Sequence, residues 1–206
     1  MTAEDSRKQR GLEARSNILE AATRLFARNG YTGVSMREVA LAVGVTQSAL
    51  YYHFTDKLDL YRHAVDNAVN SICDNIEEAV ADPAGSTGER LRRVVACVVG
   101  HMSDNAENCV LFQRVLTDDD RQNAELFATG SLKRYFDLLM SFAAEIGVRG
   151  DARRWVLGLS SLCFMPFGGR RLFELIPGLG RDVFSDEEGM VDHVAGLLEA
   201  CVGPAQ

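Results

Sequence analysis

The sequence has no long apolar run, because no window approaches the roughly 18 uninterrupted apolar residues that indicate a membrane-spanning helix. The first residues, MTAEDSRKQRGLEARSN, also have no apolar segment of the kind that forms the centre of a secretory signal. These two absences predict a cytoplasmic protein with no membrane partner.

The five cysteines show neither the number nor the spacing of a disulfide framework. Their number is odd, they are widely spaced and no CxxC occurs, so reduced thiols are expected. Cys97 and His101, four residues apart with Cys109 beyond them, are compatible with a metal sensor. A structural zinc site needs four ligands, and the sequence offers no compact set of four. We therefore expect core packing for these residues and no metal site.

Motifs of catalysis and cofactor binding are also missing. No GxSxG, P-loop, HExxH or dinucleotide-binding fingerprint occurs, and the carboxylates cannot be paired from the sequence. The sequence therefore predicts no catalytic residue, no cofactor and no enzymatic activity.

What is present is the composition of an ordinary globular protein: 47% of the 206 residues are hydrophobic and 25% are charged. The net charge of −7 argues against indiscriminate binding to nucleic acid. The charge is uneven, because residues 1–62 hold 9 Lys and Arg against 7 Asp and Glu, whereas residues 63–206 hold 13 against 22. The first part can meet a polyanion, and the second is expected to stay in solvent.

The hydrophobic pattern is helical almost throughout, since alternating apolar and polar runs are nearly absent. We predict an all-α protein of about nine helices, with a three-helix domain at 1–62 and a larger helical domain at 63–206. Residues 1–12 are polar and expected to be disordered. Among the later helices, a seventh is predicted from the acidic triplet at 118–120 to about Ile146, and an eighth is predicted to stop near Pro166.

Two short helices joined by a turn form the most informative pattern. Ser35 and Glu38 make a capping box at the start of the first, and Gly44 ends it. Thr46 then caps a second helix, Gln47 to His53. A four-residue turn containing Gly between two short helices is typical of a helix-turn-helix, in which the second helix enters the major groove of DNA.

The outward faces of this second helix carry hydrogen-bonding groups. Gln47 and Tyr51 share one face, and Ser48 and Tyr52 share the next. Such groups suit the edges of bases in the major groove. Ala49 is small enough to contact a thymine methyl group.

Residues beside this helix are suited to DNA phosphates. Ser35 and Thr46 cap helix N-termini, where free N–H groups favour an anion. Lys57 stands in the first turn of the fourth helix, an unfavourable place for a cation unless a phosphate faces it. His53 is equally compatible with capping its helix. Arg7, Lys8 and Arg10 form either an arm on DNA or a solvated tail, and the tail is favoured.

The same stretch resembles the DNA-binding domain of the TetR family of bacterial regulators over about 45 residues without a gap. The residues that carry the resemblance are Ile18–Ala22, Leu25, Phe26, Gly30, Tyr31, Ser35–Ala40, Gly44, Val45, Leu50–Phe54, Lys57 and Leu60. The resemblance implies an all-helical homodimer that binds a palindromic operator in double-stranded DNA and a small-molecule effector. It implies base or phosphate contacts for Gln47, Ser48, Tyr51 and Tyr52, and backbone contacts for Thr46, His53 and Lys57.

The second domain offers candidates for the effector pocket, although core packing explains most of them equally well. The set combines aromatic and polar groups on apolar faces with residues of the fifth helix and of the fourth helix, which links the two predicted domains. The candidates are Cys73, Ile76, Cys97, His101, Phe112, Gln113, Tyr135, Phe136, Trp155 and Phe164. Small residues at 157–163 and an apolar stripe at 191–201 predict a four-helix bundle between two subunits.

The function that these observations favour is a ligand-responsive transcriptional regulator, a repressor released from its operator by its effector. One alternative is a sequence-tolerant architectural DNA-binding protein without an effector. Another is an enzyme with an appended DNA-binding domain, which the missing motifs disfavour.

Overall fold

A computed structural model of the chain describes residues 3–117, 121–179 and 182–203. These residues form eleven α-helices and one short 3₁₀ helix at Asp182–Phe184, and no strand is found within the described ranges, so the all-α prediction is confirmed. The α-helices are α1 Ala3–Asn29, α2 Met36–Val43, α3 Gln47–His53, α4 Lys57–Ala81, α5 Thr87–Asp104, α6 Ala106–Leu116, α7 Arg121–Thr129, α8 Ser131–Glu145, α9 Ala152–Gly168, α10 Arg170–Phe173 and α11 Glu187–Glu199.

The first three helices fold around side chains that the local spacing already turns inward. Ile18 and Phe26 of α1, Val39 of α2 and Leu50 of α3 are almost completely buried. Caps fix where the short helices begin: Ser35 and Glu38 form the predicted capping box, and the Thr46 hydroxyl accepts a hydrogen bond from the Ala49 amide at 3.2 Å. Helix α4 spans the predicted boundary between residues 62 and 63, and it packs against α1 as well as α5 and α8.

The hydrophobic core runs without interruption from α1 to α11. Helix α5 lies at its centre, since it packs against α4, α6, α9 and α11. Polar links tie α8 to α4, where the Arg134 guanidinium donates to Asp74 at 2.7 Å and the Ser131 hydroxyl donates to Asp66 at 2.7 Å. Within the described ranges, no helix is long and apolar enough to cross a membrane.

The N-terminal segment differs from the prediction, because α1 begins at Ala3 and residues 3–12 are helical rather than disordered. Polar residues there support the helix from its own surface. The Gln9 amide donates to the Glu13 carboxylate at 3.1 Å, and Arg10 Nε donates to the Ser6 carbonyl at 3.2 Å, both four residues apart. Residues 1 and 2 lie outside the described part.

Two helix boundaries in the second domain were also predicted wrongly. The long seventh helix is two helices, α7 and α8, separated at Gly130. The Thr129 hydroxyl donates to the Glu125 carbonyl at 2.8 Å, which competes with the backbone at the end of α7. Helix α9 continues past Pro166 to Gly168, because a proline this close to a C-terminus disturbs only the last turn. With the short α10, these changes raise about nine predicted helices to eleven.

Candidate nucleic-acid interface and ligand cavity

Helix α3 presents to solvent the residues that the sequence assigned to DNA. The exposed side chains are Thr46, Gln47, Ser48, Ala49, Tyr51 and Tyr52. Tyr52 is 86% exposed and Tyr51 is 48% exposed, although aromatic rings of this size normally lose water on folding. The helix therefore offers a face rich in hydrogen-bonding groups that the subunit itself does not cover.

Buried anchors hold this face in place. Leu50 and Phe54 are almost fully buried below α3, and Phe54 contacts the ring of His63 with centroids 5.6 Å apart. Gly44 ends α2 with φ +76°, a left-handed conformation that glycine adopts without strain. The turn and the anchors together fix the angle between α2 and α3.

The predicted phosphate-binding groups already have partners within the chain. The Ser35 hydroxyl accepts from the Glu38 amide at 3.2 Å and donates to the Glu38 carboxylate at 2.7 Å. The hydrogen bond from the Ser35 hydroxyl and a second one from the Ser35 amide, also at 2.7 Å, stabilise the Glu38 carboxylate and lower the pKa of Glu38. Lys57 Nζ donates to the Tyr31 carbonyl at 3.0 Å and lies 4.2 Å from the centre of the Tyr31 ring. Lys57 thus fastens α4 to the turn after α1, and its phosphate role stays a prediction.

The remaining candidates at this interface lie on its margins. His53 is half-buried, and its ring contacts Tyr52 edge-on at 5.2 Å. Lys8 and Arg10 are exposed on α1, and the side chain of Arg7 lies outside the described part. Arg37 is exposed on α2 and was not among the predicted DNA-binding residues. Its position in the first turn of a helix of the helix-turn-helix, directly before Glu38, could have indicated it.

A cavity of about 800 Å³ lies between α6, α8 and α9, within the range of about 300–1,000 Å³ found for small-molecule sites. Most of its wall is apolar or aromatic. Its lining residues are Val110, Phe112, Gln113, Arg114, Leu116, Thr117, Phe136, Leu157, Ser160, Ser161, Phe164 and Met165.

A second, small pocket of about 30 Å³ adjoins this cavity and holds its buried polar groups. The two share Phe112, Ser160 and Phe164, and the two phenylalanine rings are 4.7 Å apart. The Tyr135 hydroxyl and the Ser160 hydroxyl are 3.2 Å apart at the inner wall. Burial raises the pKa of Tyr135, so its phenol stays neutral.

His101 lines the same small pocket and is only 6% exposed. Burial lowers the pKa of this imidazole, and the nearby Asp104 opposes the shift. A neutral imidazole can donate one hydrogen bond and accept another. The pocket therefore combines apolar walls with an imidazole and a phenol.

Six of the ten predicted pocket residues line these two cavities: His101, Phe112, Gln113, Tyr135, Phe136 and Phe164. Cys73 and Ile76 are buried in the core instead, because their side of α4 faces the neighbouring helices. The Cys97 thiol donates to the Asn75 carbonyl at 3.6 Å, and Trp155 Nε1 donates to the Leu198 carbonyl at 3.3 Å. These four residues line neither cavity.

The three buried thiols are suited to packing rather than to reaction. Burial raises the pKa of Cys73 to about 11 and the pKa values of Cys109 and Cys163 to about 12. In the part of the chain that the structure describes, no group of three His, Cys, Asp or Glu side chains is placed to hold a metal ion.

The sequence analysis missed Arg114 in the cavity wall. This residue is the one cation of α6, in the sequence AENCVLFQRVL. Its position between Gln113 and an apolar pair could have indicated a place in the cavity wall. Small residues of α9, Ser160 and Ser161, were missed as lining residues for the opposite reason, since small side chains were assigned to helix contacts.

The N-terminal part of the chain is similar to the DNA-binding part of known bacterial regulators. The model of the family described as bacterial regulatory proteins, tetR family, matches residues 18–64, which hold the helix-turn-helix and its anchors. Residues 18–64 thus match the DNA-binding part of the TetR family. The transcriptional regulator AcrR of Shigella flexneri is 48% identical to it over 54 residues, which are 26% of this chain and 25% of that protein.

Other similar proteins match most of the chain. The regulator YttP of Bacillus subtilis is 24% identical over 168 residues, 76% of this chain and 78% of that protein. A solved TetR-family regulator of Mesorhizobium loti has a TM-score of 0.70 at 23% identity and covers 95% of this chain and 99% of its own. FadR of B. subtilis in complex with stearoyl-CoA has a TM-score of 0.71 at 16% identity, covering 87% of this chain and 97% of its own. The described part of the chain thus has the fold of these solved regulators.

Proposed function

We propose that the protein is a ligand-responsive transcriptional repressor that binds a palindromic operator and leaves it when an effector binds. The observation that carries the proposal is the exposed face of α3, where Gln47, Ser48, Tyr51 and Tyr52 are held outward by the buried Leu50 and Phe54. This face has the size and chemistry of a recognition helix for the major groove. Its place of action is the bacterial cytoplasm, where operator DNA is accessible.

We infer that the protein acts as a homodimer through α9 and α11, which pack against each other at the surface. Large apolar side chains on these helices that do not line the cavity are exposed: Leu162 at 37% and Leu197 at 49%. The predicted stripe on α11 serves the subunit's own core in part, since Val191 and Val194 are buried there. A four-helix bundle between subunits would cover the exposed remainder.

The effector site in this proposal is the cavity between α6, α8 and α9 with its inner polar pocket. Its mostly apolar wall fits an apolar or amphipathic molecule, and the related fold of FadR holds stearoyl-CoA. If the effector binds more tightly to the DNA-free protein than to the DNA-bound protein, it must weaken operator binding by the same factor. This coupling free energy is usually about 1–3 kcal/mol.

Helix α4 is the proposed lever between the two sites. It carries Lys57 beside the DNA-binding helices and Ile72, at the inner pocket, on the same rigid element. We expect the two recognition helices of the dimer to change their separation when effector binds. Spin labels at the exposed Leu41 of each subunit would measure this distance by pulsed electron resonance. An unchanged distance with bound effector would rule out the lever.

Selection from a random DNA pool tests the proposed function and identifies the operator sequence in the same experiment. The full chain is incubated with the pool at physiological salt, and bound duplexes are sequenced over several rounds. The proposal predicts enrichment of a palindrome whose half-sites lie one turn, about 34–36 Å, or a multiple of it apart. Binding without enrichment would support the architectural alternative instead, because such binding rests on phosphates alone.

A further inference from the structure

One side chain, Arg114, belongs to both the cavity wall and the junction with the DNA-binding domain. Its Nε donates to the Ala27 carbonyl at 2.8 Å and its Nη2 donates to the Arg28 carbonyl at 2.9 Å. These carbonyls lie in the last turn of α1, where a helix leaves its acceptors unpaired. Arg114 therefore caps these two carbonyls from α6, whereas the Gly30 amide at the end of α1 donates to the Phe26 carbonyl at 2.9 Å.

The same residue is the single charge in the cavity wall, among the residues described there. The other eleven lining residues are apolar, aromatic or neutral polar. Two of the five N–H donors of Arg114 bind the α1 carbonyls, and the other three allow an anion to make its first contact with the guanidinium. A site with apolar walls and one cation at its edge fits a molecule with an apolar body and one anionic group.

We infer that the effector is such an anionic amphiphile, carrying a carboxylate or a phosphate, and that Arg114 couples its binding to the DNA-binding domain. The inference rests on the proposed function and adds the effector's chemical class and the residue that reports its arrival. An anion binds a guanidinium more strongly than two neutral carbonyls do. Its arrival draws Arg114 from Ala27 and Arg28, so the last turn of α1 loses its cap.

Loss of this cap changes the contact between α1 and α6, an extensive contact between the two domains. The Arg28 guanidinium also lies 3.8 Å from the Glu107 carboxylate of α6. Both side chains are exposed to water, so this ion pair is too weak to replace the cap. Helix α1 carries Ile18 and Phe26 of the core that orients α2 and α3. A looser α1 end therefore alters the position of the recognition helix.

Binding of three probes that share one chain tests the ligand class. Oleate carries a carboxylate, oleyl phosphate carries a phosphate and oleyl alcohol carries no charge. We expect the full-length protein to bind at least one anionic probe ten-fold or more tighter than the alcohol, as measured by displacement of a fluorescent fatty acid. Comparison of oleate with oleyl phosphate separates the two anionic groups. Equal binding of all three, or no binding of either anion, would overturn the inference.

Variants test whether Arg114 is the residue responsible. Arg114→Gln should reduce the preference for the anion to less than two-fold, and Arg114→Lys should retain part of it. Arg93→Gln is the matched control, because Arg93 also donates to two backbone carbonyls, those of Ala84 and Asp82, at 2.9 and 2.6 Å, away from this cavity. A control variant with an unchanged preference separates ligand charge from general loss of an arginine cap. An undiminished preference in a folded Arg114→Gln protein would contradict the assignment.

Hydrogen exchange of the α1 end tests the coupling step without DNA. Addition of the preferred anion should speed amide exchange at residues 26–30 in the unmodified protein, and Arg114→Gln should show the fast exchange already without it. No change on saturation would contradict the exchange of partners. These readouts do not involve an operator, so failure of the DNA selection and failure of this inference are distinguishable.

Discussion

At the scale of single residues, the side chains predicted to contact DNA divide into those that only face outward and those that also hold the fold. Gln47 is exposed on α3 and has no structural task that the geometry reveals. Lys57 instead contacts both the carbonyl and the ring of Tyr31. Substitutions at these two positions should therefore fail in different ways.

Gln47→Ala should relax sequence preference, whereas Lys57→Ala should weaken all duplexes alike. Loss of a base contact costs about 1–3 kcal/mol on the operator only, and loss of a phosphate contact reduces the salt slope by about one. Lys57→Ala should also lower the melting temperature, because its contacts with Tyr31 are lost. Anisotropy titrations on the selected duplex and a scrambled one measure both effects. Equal losses on both duplexes for Gln47→Ala would refute its role in reading bases.

His101 should make stability depend on pH. Burial lowers its pKa below the ordinary 6.5 in the folded chain, so the unfolded chain takes up the proton first as pH falls. The stability present above pH 6.5 is thus lost as pH falls through the lower folded pKa. The pKa values of Glu38 and Glu89 are also lowered, and these two carboxylates change the stability only below their ordinary pKa of 4.5.

Urea denaturation at about pH 7.5 and pH 5 would measure this effect. We expect His101→Gln to lose less unfolding free energy between these pH values than the unmodified protein. An identical loss in both proteins would show that the buried imidazole does not titrate as described.

At the scale of helices, local signals predicted the N-terminal elements well. Caps and turn residues act within four positions of the chain, and the bounds of α2, α3 and α4 follow from Ser35, Thr46 and Asp56. The split at Gly130 was missed because the apolar pattern does not show the competing hydrogen bond of the Thr129 hydroxyl. The continuation past Pro166 was missed because a proline this close to a C-terminus disturbs only the last turn. The α1–α6 junction through Arg114 was missed for a related reason, since no local pattern joins residues 86 or more positions apart.

Gly44 and Gly100 form a matched pair that tests the turn between α2 and α3. An added Cβ meets no atom within 4 Å at either position, and only Gly44 has a positive φ, of +76°. Gly44→Ala should therefore destabilise the protein by about 1–2 kcal/mol, whereas Gly100→Ala, inside α5, should stabilise it by about 0.5–1 kcal/mol. Thermal unfolding of both variants measures the difference. A stabilised Gly44→Ala protein would show that the turn does not need the left-handed conformation.

At the scale of the whole molecule, the fold class and the position of the helix-turn-helix were predictable, whereas the lining of the cavity between α6, α8 and α9 was predictable only in part. The cavity residues come from three helices, and the sequence does not show which face of each helix meets the others. Phe112 and Phe164 line it, while Cys73 and Trp155 pack elsewhere. Apolar periodicity marks burial in a core and burial around a cavity alike.

The subunit surface predicts a dimer in solution. Light scattering after size-exclusion chromatography should give twice the chain's mass, and Leu197→Glu on α11 should reduce it towards one chain, because a charge then stands in the apolar interface. Leu41→Glu is the control, since Leu41 is 81% exposed on α2, away from α9 and α11. A dimer that persists in the Leu197→Glu protein would place the interface elsewhere.

Sequence-specific binding to DNA is the central claim, and a salt series of anisotropy titrations tests it most directly. The selected duplex and a scrambled duplex of equal length would be titrated with the full chain from low to physiological salt. We expect the protein to bind the selected duplex at least about 10³-fold tighter than the scrambled duplex at physiological salt. Equal affinities that fall together as salt rises would contradict it, because such binding reads only phosphates.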